Sequence, residues 1–303
     1  MQNGNVLTQS SVLLALHLGR LGNTRRVDPN AVEVDADRDM VHVSKVLVDA
    51  PEYRVIATFD HQVRTHIYQR SLPIMTLKAG IYRLPVDLVQ ELDDELVAFQ
   101  SQREELIDKF MEVYTDHINR VETRLRALFK SSDYPSSQAA RLAFIMEWRY
   151  FVTDVPEVLS HLSKNILNRE RRKAAAAVQT EVGEIRAALR NGFAELLDHA
   201  VDRLGYAEGG KKKMFRDSLY ENLATFFKYF NQRNIVGDRE LQEIVDQARN
   251  VLGLVGSAED LRTDDGIRER ARVAFVNFRK VMTERGMITR QITLEEDKDV
   301  RVP

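Results

Sequence analysis

The apolar positions along this chain change period several times, and each change predicts a different element. In Ser11 to Gly19 apolar side chains occupy both alternating sets, Val12, Leu14, Leu16 and Leu18 on one and Leu13 and Ala15 on the other, which predicts a strand buried on both faces. Residues 19–39 are polar and read as a loop. Pro51 then opens a predicted helix, because its fixed φ suits a first helical turn, and Val55, Phe59, Val63 and Ile67 recur along it every four residues. That helix is expected to stop near Ser71, before Pro73, and two short strands follow around Lys78-Ala79-Gly80.

Pro85 stands at the start of a longer helical run. From Val86 to Lys130 there is neither glycine nor proline, a stretch of about 68 Å at about 1.5 Å per residue. Val89, Leu92, Leu96, Phe99, Leu106, Phe110 and Val113 form a 3-4 seam, with Arg103 at its one missing position. The seam shifts phase at His117 and resumes through Ile118, Val121, Leu125 and Leu128. Glu105 before Lys109, Asp116 before Arg120 and Glu122 before Arg126 place acid four residues ahead of base, which predicts a solvated outer face.

The segment SSDYPSSQ ends this helix, and LAFIMEWRYF forms a short apolar and aromatic stretch. Thr153 and Asp154 ahead of Pro156 cap a second long helix that runs to Leu204 and stops at Gly205. Its seam is Leu159, Leu162 and Ile166, then Val178, Val182, Ile185, Leu189, Phe193 and Leu196, divided by the polar run Asn168 to Lys173. Gly183 and Gly192 each weaken it by about 1 kcal/mol relative to alanine. The two long helices are expected to pair as an antiparallel hairpin.

Further helices are predicted over Met214 to Phe230, from an Asp238 cap to Gly253, and over Ile267 to Arg285. Ile288 to Leu294 alternates in part like a strand, and the last residues to Pro303 are expected to be disordered. The fold class is therefore mainly α. A long coiled-coil-like hairpin (86–205) stands between a small α/β head (1–85) and a helical region with a terminal strand (206–303), and the amino-terminal, middle and carboxy-terminal strands share one small sheet.

Composition removes several kinds of chemistry from this picture. Without cysteine there are no disulfides, thiolate metal sites or cysteine nucleophiles, and an intracellular setting is expected. A formal charge of -2 gives no global attraction to phosphate or anionic lipid. The start lacks a basic n-region, and Val12 to Leu18 is too short for a membrane span, so the chain is expected to be cytoplasmic.

Candidate chemistry is sparse. Gly205 to Lys211 has P-loop spacing, but a helix precedes it and Lys212 stands where the magnesium-binding hydroxyl belongs. The seven histidines show no metal-ligand spacing; His61 and His66 lie about 140° apart on a helix. Neither a nucleophile elbow nor a carboxylate pair with a pocket signature is present, so no catalytic, cofactor or metal residue is assigned and the chain is read as no enzyme. Two basic clusters remain as candidate contacts for an acidic partner or a polyanion: Arg169, Arg171, Arg172 and Lys173, diluted by Glu170, and Lys211, Lys212 and Lys213, followed by Arg216 and an aromatic helix. A solvated helix face is the simpler account of each. Trp148 is an interface anchor in one reading and packing at the hairpin connection in the other.

The segments LPIMTLKAGIYRLPVDLVQELDDEL, SSDYPSSQAARLAFIMEWRYFVTDVPEVL and FFKYFNQRNIVGDRELQEIVDQARNVLGL together resemble a family of uncharacterised bacterial and phage proteins, a domain of unknown function. The resemblance rests on a proline-opened long helix, a Tyr-Pro break, a Val-Pro restart and an Asn-Ile/Asp helix pair. Members tend to be encoded beside a MoxR-type AAA+ ATPase and a protein with a von Willebrand A domain. It implies an adaptor, or a substrate-side partner of an ATP-driven remodelling machine. Self-association through the helical seams fits the same role, and an oligomeric coat or remodelling protein on nucleic acid or membrane is the alternative.

Overall fold

A computed structural model describes residues 7–33, 35–37, 40–74, 77–152, 163–207 and 209–288. The chain is mainly helical and forms two compact units. The amino-terminal unit is Ser10–Leu72 with Leu77–Asp154, and the carboxy-terminal unit is Met1–Gln9, Pro73–Thr76 and Val155–Pro303. These two units replace the three segments expected with boundaries at 85 and 205. The boundary at 85 fails because the strand that ends there pairs with the first strand, and sheet and following helix share one core.

In the amino-terminal unit the continuous apolar run is β1 (Ser11–Leu18), the middle strand of an antiparallel sheet. Leu14 lies opposite Tyr82 of β4 (Ile81–Pro85) and Tyr150 of β5 (Met146–Phe151), and both faces of β1 carry buried residues, Leu13 on one and Leu14 on the other. Of the two strands expected around residues 78–80, the second is β4; the first falls partly outside the described residues, at 75–76, and Leu72 contributes a single bridge to Arg83. A second ribbon, β2 (Thr24–Val27) with β3 (Val43–Val46), lies partly inside the region read as loop. The terminal strand expected at 288–294 lies outside the described residues beyond Ile288.

Pro51 opens α1 (Pro51–Arg70), and Ser71 ends it by donating its backbone N–H to the Ile67 and Tyr68 carbonyls. The long helix α2 (Val89–Leu125) is shorter than its glycine- and proline-free run: Val86–Leu88 is a 3-10 turn, and Arg126 leaves the helix with φ 49°. At 37 residues it spans about 56 Å. α1 and α2 are antiparallel, with Tyr53 against Phe110, Phe59 against Phe99 and His66 beside Glu95. The antiparallel hairpin of the amino-terminal unit is therefore α1 with α2.

Two apolar clusters fill this unit. One joins Leu14, Leu16, Val63, Ile67, Leu92 and Leu96; the other joins Leu47, Tyr53, Ile56, Ile107, Phe110 and Phe144. Along both helices Asp60 and Arg103 fall between them, with side chains 0% and 1% exposed. Arg103 Nε donates to Asp60 Oδ1 at 2.7 Å, and its Nη2 donates to the Gly19 carbonyl at 2.7 Å. Arg20 approaches the same carboxylate at 3.3 Å. Beyond them, Lys45 of β3 donates to the Leu128 carbonyl at 2.5 Å and pairs with Asp133 at 2.6 Å, fixing the ribbon to the turn after α2. The short helix α3 (Ser137–Arg141) leads into β5.

The carboxy-terminal unit is a helical bundle of α4 (Lys164–Leu204), α5 (Asp217–Arg233), α6 (Arg239–Val255), α7 (Ala258–Thr263) and α8 (Asp265–Glu284). α4 stops at Gly205 and α6 is capped by Asp238, both as expected, whereas α6 runs past Gly253 to Gly256, whose φ of 80° ends it. α8 runs antiparallel to α4, with Arg279 against Asp198 and Arg268 against Leu204. Phe193 stacks on Phe226 at 5.3 Å in the core of the bundle. Arg190 grips Asp238 with two parallel hydrogen bonds of 2.6 and 3.0 Å, joining α4 to the start of α6.

Arg268 is 1% exposed and is held by backbone carbonyls. Its guanidinium donates to Leu204 at 3.0 Å, Leu261 at 2.9 Å, Arg203 at 2.7 Å, Gly205 at 3.3 Å and Lys213 at 2.8 Å. Three of these carbonyls lie at the carboxyl end of α4, where the helix leaves them without partners and carries its negative dipole end. Burial lowers the pKa of Arg268, and Tyr206 and Asp265 oppose the shift.

Candidate interaction surfaces

α4 divides into two regimes. Ser163 caps it by accepting from the Ile166 N–H at 3.4 Å, and Leu167 is buried one turn in. From Asn168 to Thr180 every residue is exposed except Glu170 and Val178, which are half-buried. From Val182 onward Ile185, Leu189, Phe193 and Leu197 are buried at helical spacing. The exposed half contains four consecutive alanines, Ala174 to Ala177, the residue type with the highest helix propensity. Gly183 sits where burial begins, with open space at the position its Cβ would take.

The first basic cluster lies on this exposed half. Arg169, Arg172 and Lys173 occupy spacing i, i+3, i+4 and so share one face, turned away from the side that carries Leu167 and Ile185. Glu170 lies 3.0 Å from Lys173 and 3.4 Å from Arg169; Lys173 first, then Arg169, hold its carboxyl below the usual range. Arg172 Nε reaches the Asn168 carbonyl at 3.4 Å, and Arg171 is exposed. Four cations against one carboxylate leave a net positive helix surface.

The second cluster is neutralised locally. Lys213 pairs with Asp202 at 2.5 Å and Lys212 pairs with Asp265, so two of its three cations are engaged by carboxylates of α4 and α8. Lys213 also holds the Asp202 carboxyl below its ordinary pKa. The P-loop spacing resolves into a tight turn in which the Ala207 N–H donates to Lys211, and Tyr206 bridges to Lys212. No strand precedes this turn; α4 does. Of the neighbouring aromatics, Phe215, Phe226 and Phe230 are buried.

Trp148 on β5 is half-buried, and its indole N–H donates to Asp93 Oδ1 at 2.8 Å, the same oxygen that accepts from the Tyr150 hydroxyl at 3.0 Å. Burial first, then this carboxylate, raise the Tyr150 pKa. Its described contacts are thus those of sheet-to-helix packing.

An open groove of about 450 Å³ runs along the outside of the α1–α2 hairpin, lined by Arg54, Val55, Phe59, Gln102, Glu105 and Leu106. Val55, placed on the α1 seam from sequence, is 50% exposed here, because the buried side of α1 is set by Tyr53, Ile56, Asp60, Val63 and Ile67. Among the described residues no group of His, Asp or Glu could hold a metal ion, and no helix is long and apolar enough to cross a membrane. Compared with known proteins, the chain matches no family model, no curated protein and no solved structure.

Sequence reasoning missed the buried roles of Asp60 and Arg103. For Arg103 the signal was its place at the one missing position of the α2 seam; Asp60 gave none, because it lies off the seam traced through Val55 and Phe59.

Proposed function

We propose that the chain is a non-enzymatic adaptor or scaffold acting through helical protein–protein contacts, as a partner of a MoxR-type AAA+ ATPase and a von Willebrand A-domain protein. The observation that carries this reading is the amino half of α4, which is helical yet exposed on nearly all sides from Asn168 to Thr180. Helices in globular proteins draw most of their stability from burying an apolar face. A stretch that buries almost nothing, and is built from alanine and arginine, suits recognition by another surface. The family resemblance supplies the ATPase and its companion as partners.

A coat or remodelling protein on nucleic acid or membrane is the less favoured reading, because Lys212 and Lys213 are held by Asp265 and Asp202. The test is to mix the purified chain with a MoxR-type ATPase and a von Willebrand A-domain protein of the same genome. Light scattering after size exclusion would follow the mixture at about 0.1 and about 0.5 M salt. Co-elution that is lost when Arg169, Arg172 and Lys173 become glutamate is the expected result. A chain that stays monomeric and retains neither protein overturns the adaptor reading; salt-sensitive binding to DNA or anionic vesicles would then move the assignment to the second reading.

A further inference from the structure

We propose that β5 is a docking edge for a second copy of this chain, and that two copies pair their β5 strands antiparallel, joining the three strands of each into one six-stranded sheet. β5 has β1 on one side and no strand on the other among the described residues. Gly19 and Ile145 exchange hydrogen bonds of 2.8 and 3.3 Å, so by alternation Glu147, Arg149 and Phe151 also turn their backbone groups toward β1. The N–H and C=O groups of Trp148 and Tyr150 therefore face outward, where no described residue meets them. The Met146 carbonyl, also outward, accepts from Gln100 Nε2 at 3.0 Å and keeps a second lone pair. Asp93 holds the Trp148 indole and the Tyr150 hydroxyl, so the strand is anchored to α2 while its edge stays unpaired.

The order of side chains along β5 names the occupant. Edge strands are commonly protected by charge, because an incoming strand would set like charges side by side. Here Glu147 and Arg149, both exposed and without an ion pair among the described residues, carry opposite signs two positions apart. Across the ladder from them stand His17 and Ala15, neither a carboxylate nor a lysine or arginine. In an antiparallel pair about a twofold axis at Trp148, Glu147 faces Arg149 of the second copy and Arg149 faces its Glu147. The same register sets Phe151, 39% exposed, against Ile145 of the second copy on the same sheet face. Trp148 meets its own counterpart through two backbone hydrogen bonds. That leaves the Glu–Arg pairs at the closely spaced, non-hydrogen-bonded positions, where cross-strand side chains approach most. The edge is thus its own complement, and since each copy uses it once, the contact is isologous and closes at two.

This contact is separate from the basic face of α4, so each can fail alone. The test follows association of the full chain by sedimentation and light scattering up to about 0.1 mM. Wild type is expected to exchange between monomer and dimer. E147R sets arginine against arginine across the twofold and R149E sets glutamate against glutamate, and each is expected to weaken the dimer at least about tenfold. An equal mixture of the two restores both opposite-sign pairs, as does the double variant E147R/R149E, and both are expected to regain wild-type affinity. Hydrogen exchange gives a readout without substitution: the Trp148 and Tyr150 amides gain protection in the dimer. The proposal is overturned if wild type is monomeric throughout, if the single reversals dimerise as wild type does, or if the mixture stays monomeric. A dimer in which those two amides exchange as in the monomer overturns it as well. A monomeric wild type that co-elutes with the ATPase would remove this proposal and leave the adaptor reading standing.

Discussion

Among the described residues Arg103 in one unit and Arg268 in the other are each 1% exposed, and the two solve the problem of a buried guanidinium in opposite ways. In the amino-terminal unit Arg103 meets a carboxylate, Asp60, that is as buried as itself. In the carboxy-terminal unit Arg268 meets backbone carbonyls from Arg203, Leu204, Gly205, Lys213 and Leu261. The first is a charge answered by a charge, so both partners are side chains and could be replaced together. The second is a charge solvated by peptide dipoles, so its partners cannot be mutated away. What looks like one device, an arginine at a core position, carries different liabilities in the two units.

The largest effect is expected from Arg103→Leu, which leaves the buried Asp60 carboxylate with the longer Arg20 contact alone and should cost about 3 kcal/mol in denaturant unfolding. Arg268→Leu leaves several carbonyls short of donors and should cost about 2–3 kcal/mol. The comparison sharpens with a double variant. Arg103→Leu with Asp60→Leu should return to within about 1 kcal/mol of wild type, since apolar residues can replace a buried pair, and the Gly19 carbonyl keeps the Ile145 N–H at 3.3 Å. No companion substitution should rescue Arg268→Leu. If one does, or if the double variant stays as unstable as the single, the distinction between the two sites fails.

A smaller effect separates the units by pH. Burial alone would raise the pKa of Asp238, but Arg190 and the Leu241 N–H outweigh it and leave the carboxyl below its ordinary value. The folded pKa being depressed, its stabilisation is complete above the unfolded carboxyl range of about pH 4 and is lost as pH falls through the lower folded value. Asp238→Asn should remove that acid-side dependence from the carboxy-terminal unit at a cost of about 1 kcal/mol, followed by unfolding at stepped pH. The smallest effect is expected at Arg171→Ala, within about 0.5 kcal/mol, because the side chain lies on the exposed half of α4.

Elements that bury a continuous or periodic apolar set were legible in the sequence. β1 is such a case, and so is α1 with its opening proline. β2 was not, because Thr-Arg-Arg-Val is polar and exposed and exists through its ladder with β3. The packing of α1 on α2 went unread for a related reason. The α1 seam was traced through Val55 and Phe59, whereas the true one passes through Ile56 and Asp60, and a carboxylate on it breaks the apolar count. Candidate surface residues were legible only as charge: whether Lys212 and Lys213 are available depends on Asp265 and Asp202, far away in sequence.

Gly183 gives the two regimes of α4 a mechanical meaning. A residue that weakens a helix by about 1 kcal/mol relative to alanine stands at the joint where burial begins, in a place where an alanine side chain would meet nothing. The turns before it can melt while those after it stay clamped by Arg190 and Arg268, so the exposed half should exchange its amide hydrogens orders of magnitude faster than the half beyond. Gly183→Ala would stiffen the joint, spreading protection from the clamped end toward Ala177. That exchange pattern would make the helix a clamped rod with a compliant tip.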